Sequence, residues 1–290
     1  MNTRFHIAHI IPHPKLHGLH GYREVIETLQ WGLTSLGYEV TTALNAIAND
    51  ARNIVLGFQT LSEFEVSRLP PDTILYNLEQ IAGLSDDQLK PVFRSAARRL
   101  RVWEYSERNL AAWHRLQPVY QVVHVPIGWA PVLAKISRTE RQDIDVLHYG
   151  LPSDFRFAMF NALCQQGMSC VYACGLYGAS RDSLIARSKL VLNLNMYSQS
   201  RIFEIVRVSF LLSNAKAVVA DLYPDTFVEN DLRDAVAFAV PEKIAGCCQL
   251  LLDDESARRQ LERKGEEIMR QRDIRPILTH ALAATEGSAH

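Results

Sequence analysis

A chain of 290 residues is longer than the commonest single domain and has the length of two domains of about 100–150 residues each. With 48% of its residues apolar and 22% charged it can bury a sizeable core, which excludes wholesale disorder. A formal net charge of −1 offers no global field for drawing in nucleic acid or an anionic membrane.

The first elements come in a clear order. Phe5–Ile11 reads as a short strand, followed by a loop rich in His, Pro and Gly. A helix follows in which Val25, Leu29, Leu33 and Leu36 recur at helical spacing. Gly37 stands where a helix C-terminal glycine belongs, and Glu39–Leu44 reads as the next strand. This strand–loop–helix–strand unit is the building block of a parallel sheet. Strands are then expected at Asn53–Phe58, Thr73–Leu78 and Leu100–Tyr105, with helical stretches at Ser62–Arg68 and Ser85–Arg98. The run Arg94, Arg98, Arg99, Arg101 suits the solvated side of a helix leading into a strand better than a basic binding patch.

The segment VHVPIGWAP lacks helical periodicity and reads as a linker. A second start follows: strand Ile144–Tyr149 reaches Gly150 and Pro152, and helix Phe155–Gln166 comes next. Strands are expected at Ser169–Ala173, Leu190–Leu194 and Ala217–Ala220, with helices at Arg181–Ser188, Arg201–Leu212, Pro241–Leu252, Glu255–Arg272 and Pro276–Ala284. The expected organisation is therefore one Rossmann-like α/β domain over 1–127, a second over 140–275, and a C-terminal helix and tail over 276–290. Two such domains facing across a cleft would bring two substrates together, since open α/β sheets bind ligands outside the carboxyl ends of their strands.

Five cysteines, with no C-x-x-C pair, suggest neither a disulfide framework nor a zinc site; buried thiols in a reducing cytoplasm are expected. The apolar stretch Phe5–Pro12 is interrupted by His6 and His9 and lacks a cleavage site, so it does not read as a signal peptide. No apolar run approaches the ~20 residues that span a bilayer. The expected location is cytoplasmic, with peripheral work at a membrane left open and no nucleic-acid partner.

The sharpest segment is LIARSKLVLNLNMYSQSRIFEIVRVSFLLSNAKAVVAD, Leu184 to Asp221. It resembles the donor-binding half of bacterial glycosyltransferases of the GT-B fold, in which a strand ending near an Asn leads to a helix with a Phe-Glu pair and then a short strand. Asn193, Asn195, Phe203 and Glu204 match that pattern. DIDVLHYGLPSDFRF resembles the opening of the same half, with Gly150 and Arg156 at the glycine and arginine positions, while HGLHGYREVIETLQWGLTSLGYEV and VPIGW look like the acceptor-side glycine loop and the interdomain segment.

The resemblance implies transfer of a sugar from a nucleotide-diphosphate sugar to a glycan, lipid-linked or protein acceptor, without a further cofactor. Implied donor-binding residues are Gly150, Arg156, Asn193, Asn195, Arg201, Glu204 and Arg207. Chemistry agrees: a carboxylate such as Glu204 can take both ribose hydroxyls, and a diphosphate needs backbone N–H groups and cations. On a helix Arg201, Glu204 and Arg207 would lie along one face; without the resemblance, they would read as a surface salt-bridge ladder.

For a general base, the loop after the first strand presents His13, His17 and His20, with Glu79 as a rival and Glu104 and Ser106 ranked below it. Asp143-Ile144-Asp145 precedes its strand and so lies at the wrong end for a metal site, and metal-independent chemistry is expected. The sequence departs from the family pattern at Met196, where many retaining members carry a second glutamate, and at Val208 and Ser209. The resemblance thus names neither the sugar nor the anomeric outcome. A catalytically silent nucleotide-binding scaffold and a nucleotide-sugar epimerase are the alternatives.

Overall fold

The structure is a computed structural model that describes residues 4–13, 17–137, 139–196 and 202–286. The chain divides into two compact units, one running to Ala130 and taking in the segment from Asp273 onward, the other covering Pro131–Arg272.

In the first unit β1 (Arg4–His9) leads through a loop and a short 3-10 turn into α1 (Arg23–Ser35), followed by β2 (Glu39–Leu44), β3 (Arg52–Leu56), α2 (Glu63–Ser67) and β4 (Ile74–Asn77). Next come α3 (Pro91–Arg99), β5 (Arg101–Glu104), α4 (Glu107–Arg115) and β6 (Gln121–His124). The strands form one parallel sheet in the order β2-β1-β3-β4-β5-β6. Local chemistry sets the helix ends: Ser62 and Glu65 form a reciprocal capping box on α2, and Ser106 caps α4. Buried Val55, Phe58, Leu75, Phe93, Val102 and Trp113 form the core on one face of the sheet.

The second unit runs β7 (Ile144–Tyr149), α5 (Asp154–Gln165), β8 (Cys170–Ala173), α6 (Ala179–Arg187), β9 (Ser188–Asn193), α7 (Ile205–Ser213), β10 (Ala217–Asp221), β11 (Ala237–Ala239), α8 (Ile244–Asp253) and α9 (Glu255–Gln271). Its parallel sheet has the order β11-β10-β9-β7-β8. Counted from the unit's own first strand this is 2-1-3-4-5 read from the β8 edge, a doubly wound order that reverses between β7 and β9. A ligand of such a sheet sits where the loops after those two strands diverge.

The last helix, α10 (Ile274–Glu286), belongs to the first unit, although sequence alone sets it apart with the tail. Gly32 of α1 lets it approach: a methyl there would meet Leu278 Cδ1 at 2.7 Å and Ile274 Cγ2 at 2.8 Å. Trp103 Nε1 donates to Thr285 Oγ1 at 3.0 Å, which ties α10 to β5.

Several expectations need correction. The stretch read as a helix from Arg201 to Leu212 is helical only from Ile205, because Glu204 has ψ 59° and stands at the N-cap. The helix expected over Ser85–Arg98 starts at Pro91, whose ring suits a first-turn position. Strand β6 begins before the segment read as a linker, while β11 and α4 escaped the sequence reading. No helix among the described residues is long and apolar enough to cross a membrane.

Candidate functional site

The reversal point of the second sheet gathers Gly150, Arg156 and Arg207. Gly150 directly follows β7 and has φ +141°, a backbone state that L side chains rarely adopt. A Cβ on it would stand 3.4 Å from Arg156 Nη1 and from both Arg207 terminal nitrogens. Two guanidinium groups therefore converge on one bare stretch of main chain.

Arg156 sits in the first turn of α5 behind the Ser153 cap and is only 3% exposed. Its Nε and Nη2 donate to Leu194 O at 3.0 and 2.6 Å, and Nη1 donates to Leu151 O at 2.7 Å. One side chain thus clamps the loops after β7 and β9 together. Burial, and then the like charge of Arg207, pull its pKa down to about 10.

Arg207 projects from the first turn of α7, half-buried, with Nη1 3.3 Å from Tyr149 O and its guanidinium 5.7 Å from the Tyr149 ring centre. No ion pair to either arginine exists among the described residues, where both guanidiniums lack a carboxylate within salt-bridge distance. Two like charges held this close repel each other; Glu204 and Asp221 lie in electrostatic range of Arg156 but not in ion-pair contact, and an anion at Gly150 would offset the repulsion directly.

Polar groups that the sequence reading did not single out lie around this pair. Asp221 ends β10, is buried, and accepts the Asn195 amide hydrogen through Oδ1 at 3.0 Å; its Oδ2 is buried without a hydrogen bond. Burial raises the Asp221 pKa to about 6, against the pull of the Asn195 amide and of Arg156. His148 of β7 is buried with Nδ1 3.3 Å from Leu192 O, and its Nε2 has no hydrogen-bond partner among the described residues. Burial first, then Arg207 and Arg156, keep its pKa well below the usual imidazole value, so the ring stays neutral. Arg181, also buried, lies over the Phe210 ring at 4.4 Å and pairs with Asp182, a packing role.

Of the other residues read from the sequence, Asn193 ends β9 with a buried side chain whose Oδ1 lacks a hydrogen bond among the described residues, and Asn195 follows in the loop. Glu204 is half-buried at the start of α7 and within electrostatic range of Arg156. Arg201 lies outside the described residues, so the expected three-residue face reduces to Glu204 and Arg207 on either side of the helix start. Asp143 and Asp145 are engaged by Arg187 and Lys189 at the amino end of the sheet.

On the first unit, His13 is exposed, His20 is half-buried, and the His17 side chain lies outside what is described. Glu79 follows β4, and its Oε1 accepts from Tyr22 Oη and from Gln59 Nε2, the latter at 2.9 Å. Glu104, in contrast, is fully buried: its carboxylate accepts from Asn77 Nδ2, Trp113 Nε1, Ser106 N and Asn109 Nδ2 at 2.7–2.9 Å. Burial raises its pKa to about 7 in spite of those four donors. With two donors on each oxygen and no exposed surface, Glu104 is a structural carboxylate, and its neighbour Ser106 serves the fold by capping α4. Among the described residues no cluster of three or more His, Cys, Asp or Glu side chains is placed to hold a metal ion.

No family profile matches this sequence, and no curated protein matches it either. Solved structures do resemble it in fold. HepE of Anabaena, solved in complex with UDP and glucose, superposes with a TM-score of 0.63 at 12% identity over 98% of this chain and 100% of that one. Sucrose-phosphate synthase of Thermosynechococcus elongatus gives 0.62 at 9% identity over 99% and 100% of the two chains. TarM gives 0.58 at 12% identity over 82% of this chain, which spans about half, 55%, of TarM. Two parallel α/β units in this order, with these relatives in structure, make the fold of the chain that of the GT-B glycosyltransferases.

Proposed function

We propose that the chain is a glycosyltransferase that moves a sugar from a nucleotide-diphosphate donor to a hydroxyl of a glycan, lipid-linked or protein acceptor. The observation that carries the reading is the pair Arg156–Arg207 converging on Gly150 without a carboxylate counter-ion, at the sheet's reversal point. A diphosphate would supply the direct anionic contact that no carboxylate of the described residues makes to either guanidinium. In this reading Arg207, the Gly150 main chain and the first N–H groups of α7 hold the two phosphates, and Arg156 adds charge while fixing both loops. As the sugar's anomeric C–O bond breaks, these groups stabilise the electron pair left on the diphosphate oxygen, so the reaction needs neither a metal nor a further cofactor.

Glu204 is assigned to the ribose hydroxyls, with Asn193, Asn195 and Arg201 completing the donor side. On the first unit His13, His17, His20 and Glu79 are the groups proposed to meet the acceptor. HepE with UDP and glucose lends the nucleotide to test first, UDP. A cytoplasmic site of action, with or without peripheral membrane contact, accompanies the proposal.

The test is calorimetric titration of wild type and Arg207→Ala with UDP, GDP, ADP, dTDP and CMP, followed by release of nucleotide from the matching glucose donors. Binding of one nucleotide, lost in the variant, supports the reading. Failure of all five to bind would remove it, and binding without release of nucleotide from any donor would favour the catalytically silent scaffold.

A further inference from the structure

Three loops of the first unit meet at the carboxyl end of its sheet. Tyr22 ends the 3-10 turn after β1, Gln59 lies in the short turn after β3, and Glu79 follows β4. Gln59 Nε2 donates both to Tyr22 Oη at 3.0 Å and to Glu79 Oε1 at 2.9 Å, and Tyr22 Oη donates to that same Glu79 oxygen. The carboxylate fixes which way the Gln59 amide faces, because a flipped amide would set oxygen against oxygen. Two acceptor oxygens, Glu79 Oε2 and Gln59 Oε1, are left without a protein partner among the described residues, and neither belongs to the buried orphaned atoms.

The platform beneath is rigid. Asn77 Nδ2 and Asn109 Nδ2 each donate to Glu79 O, at 2.9 and 2.8 Å, and the same two groups donate to the buried Glu104 carboxylate. Asn109 Oδ1 also accepts the amide hydrogens of Ile81 and Ala82 at 3.0 and 2.8 Å. One buried carboxylate thereby fixes the main chain that carries Glu79. On the other side Lys90 Nζ donates to Gln59 O at 3.3 Å, and Gly57, at φ +85°, lets that turn press against Ile10, whose oxygen would stand 2.3 Å from a Cβ.

Two acceptor oxygens in one hydrogen-bonded cluster, one of them charged, call for hydroxyl donors, and a sugar presents such donors on adjacent carbons. An anion would be repelled by the carboxylate, and an apolar ligand would leave both oxygens unpaired. We infer that Tyr22, Gln59 and Glu79 form a binding site for the vicinal diol of a pyranoside, with Glu79 Oε2 and Gln59 Oε1 as the accepting atoms. Tyr22 is a positioning residue that orients both, and Glu104 positions the loop through Asn77 and Asn109. Only the naming of this pyranoside as the acceptor rests on the proposed glycosyl transfer; binding of the diol does not require a donor.

The experiment is saturation-transfer NMR on the whole chain with methyl α-glucopyranoside, methyl α-N-acetylglucosaminide and permethylated methyl glucoside, each at about ten times a millimolar dissociation constant. Transfer to one of the first two, none to the permethylated probe, and its loss in Glu79→Ala are expected. Tyr22→Phe should weaken binding about fivefold to tenfold, the effect of one lost charge-assisted hydrogen bond. Circular dichroism and UDP titration of each variant verify that its fold and second unit are intact. Transfer unchanged in Glu79→Ala, equal transfer to the permethylated probe, or none to either glycoside overturns the inference. UDP binding is read separately, so its failure counts against the proposed function alone.

Discussion

Removing one arginine from a pair that repels should leave the free protein at least as stable while cutting its ligand response to about a third. Arg156 has a pKa of about 10 against an ordinary 12.5, a difference of about 2.5 units or roughly 3 kcal/mol at 1.36 kcal/mol per unit. Burial is the larger cause and the like charge of Arg207 the second, so removing Arg207 relieves part of that cost. Arg207 itself makes one long hydrogen bond, 3.3 Å to Tyr149 O, so little is lost in Arg207→Ala. The variant should then melt within about 2 °C of wild type, or above it.

Its response to UDP should change far more. Loss of one charge-assisted contact to phosphate weakens binding by about 2 kcal/mol, roughly thirtyfold. At UDP equal to about a hundred times the wild-type dissociation constant, stabilisation falls from about 2.7 to about 0.9 kcal/mol. Differential scanning fluorimetry with and without UDP measures both quantities, and calorimetry gives the affinity directly. A free variant destabilised by several degrees, or one with the full UDP shift, would refute the idea that Arg207 is held for an anion and not for packing.

Gly150→Ala should be destabilised by about 1–2 kcal/mol and lose UDP affinity, because φ +141° strains any side chain and the new methyl lies against both guanidiniums; urea melts and the same titration check this. Asp221, raised from 3.8 to about 6, keeps its proton in the folded chain while the unfolded chain loses it, so its contribution to stability falls as pH rises from about 4 to 6 and is level above. Asp221→Asn should remove that slope and gain up to about 3 kcal/mol at pH 7 in urea melts, provided its amide oxygen keeps the Asn195 hydrogen bond. Glu104→Gln should be destabilised by about 3 kcal/mol or more, since the new NH2 group faces donors in a fully buried site with four donors; a variant as stable as wild type in urea would contradict the structural role given to it.

The fold was legible in the sequence because parallel strands buried on both faces read as short apolar runs, and helices such as α1 show their spacing between recognisable stops. Strand β11, with three half-buried residues, and β6, at the sheet edge beside a proline-rich segment, offered too little pattern. Gly150, Arg156 and Arg207 stand out in the sequence as residue types that suit a phosphate, and the structure brings the three together in space. Asp221 and His148 do not stand out, since their properties come from burial and from charges contributed by other strands. The helix start at Glu204 was also hidden: Arg201, Glu204 and Arg207 are spaced as on one helix face, and only the backbone turn at Glu204 breaks it.

Carboxylates at strand ends show where such reading stops. Glu79 and Glu104 follow or end neighbouring parallel strands, β4 and β5, and both precede polar loop residues, so sequence ranks them only by position. Their environments are opposite. Glu104 is surrounded by four donors from Asn77, Ser106, Asn109 and Trp113, three of them on α4 or its cap, and it serves the fold. Those same asparagines reach past it to hold the main chain of Glu79, whose own carboxylate keeps an oxygen for solvent. A buried carboxylate that burial disfavours thus fixes a half-buried one, an arrangement that gains nothing for stability and makes sense where the position of Glu79 matters.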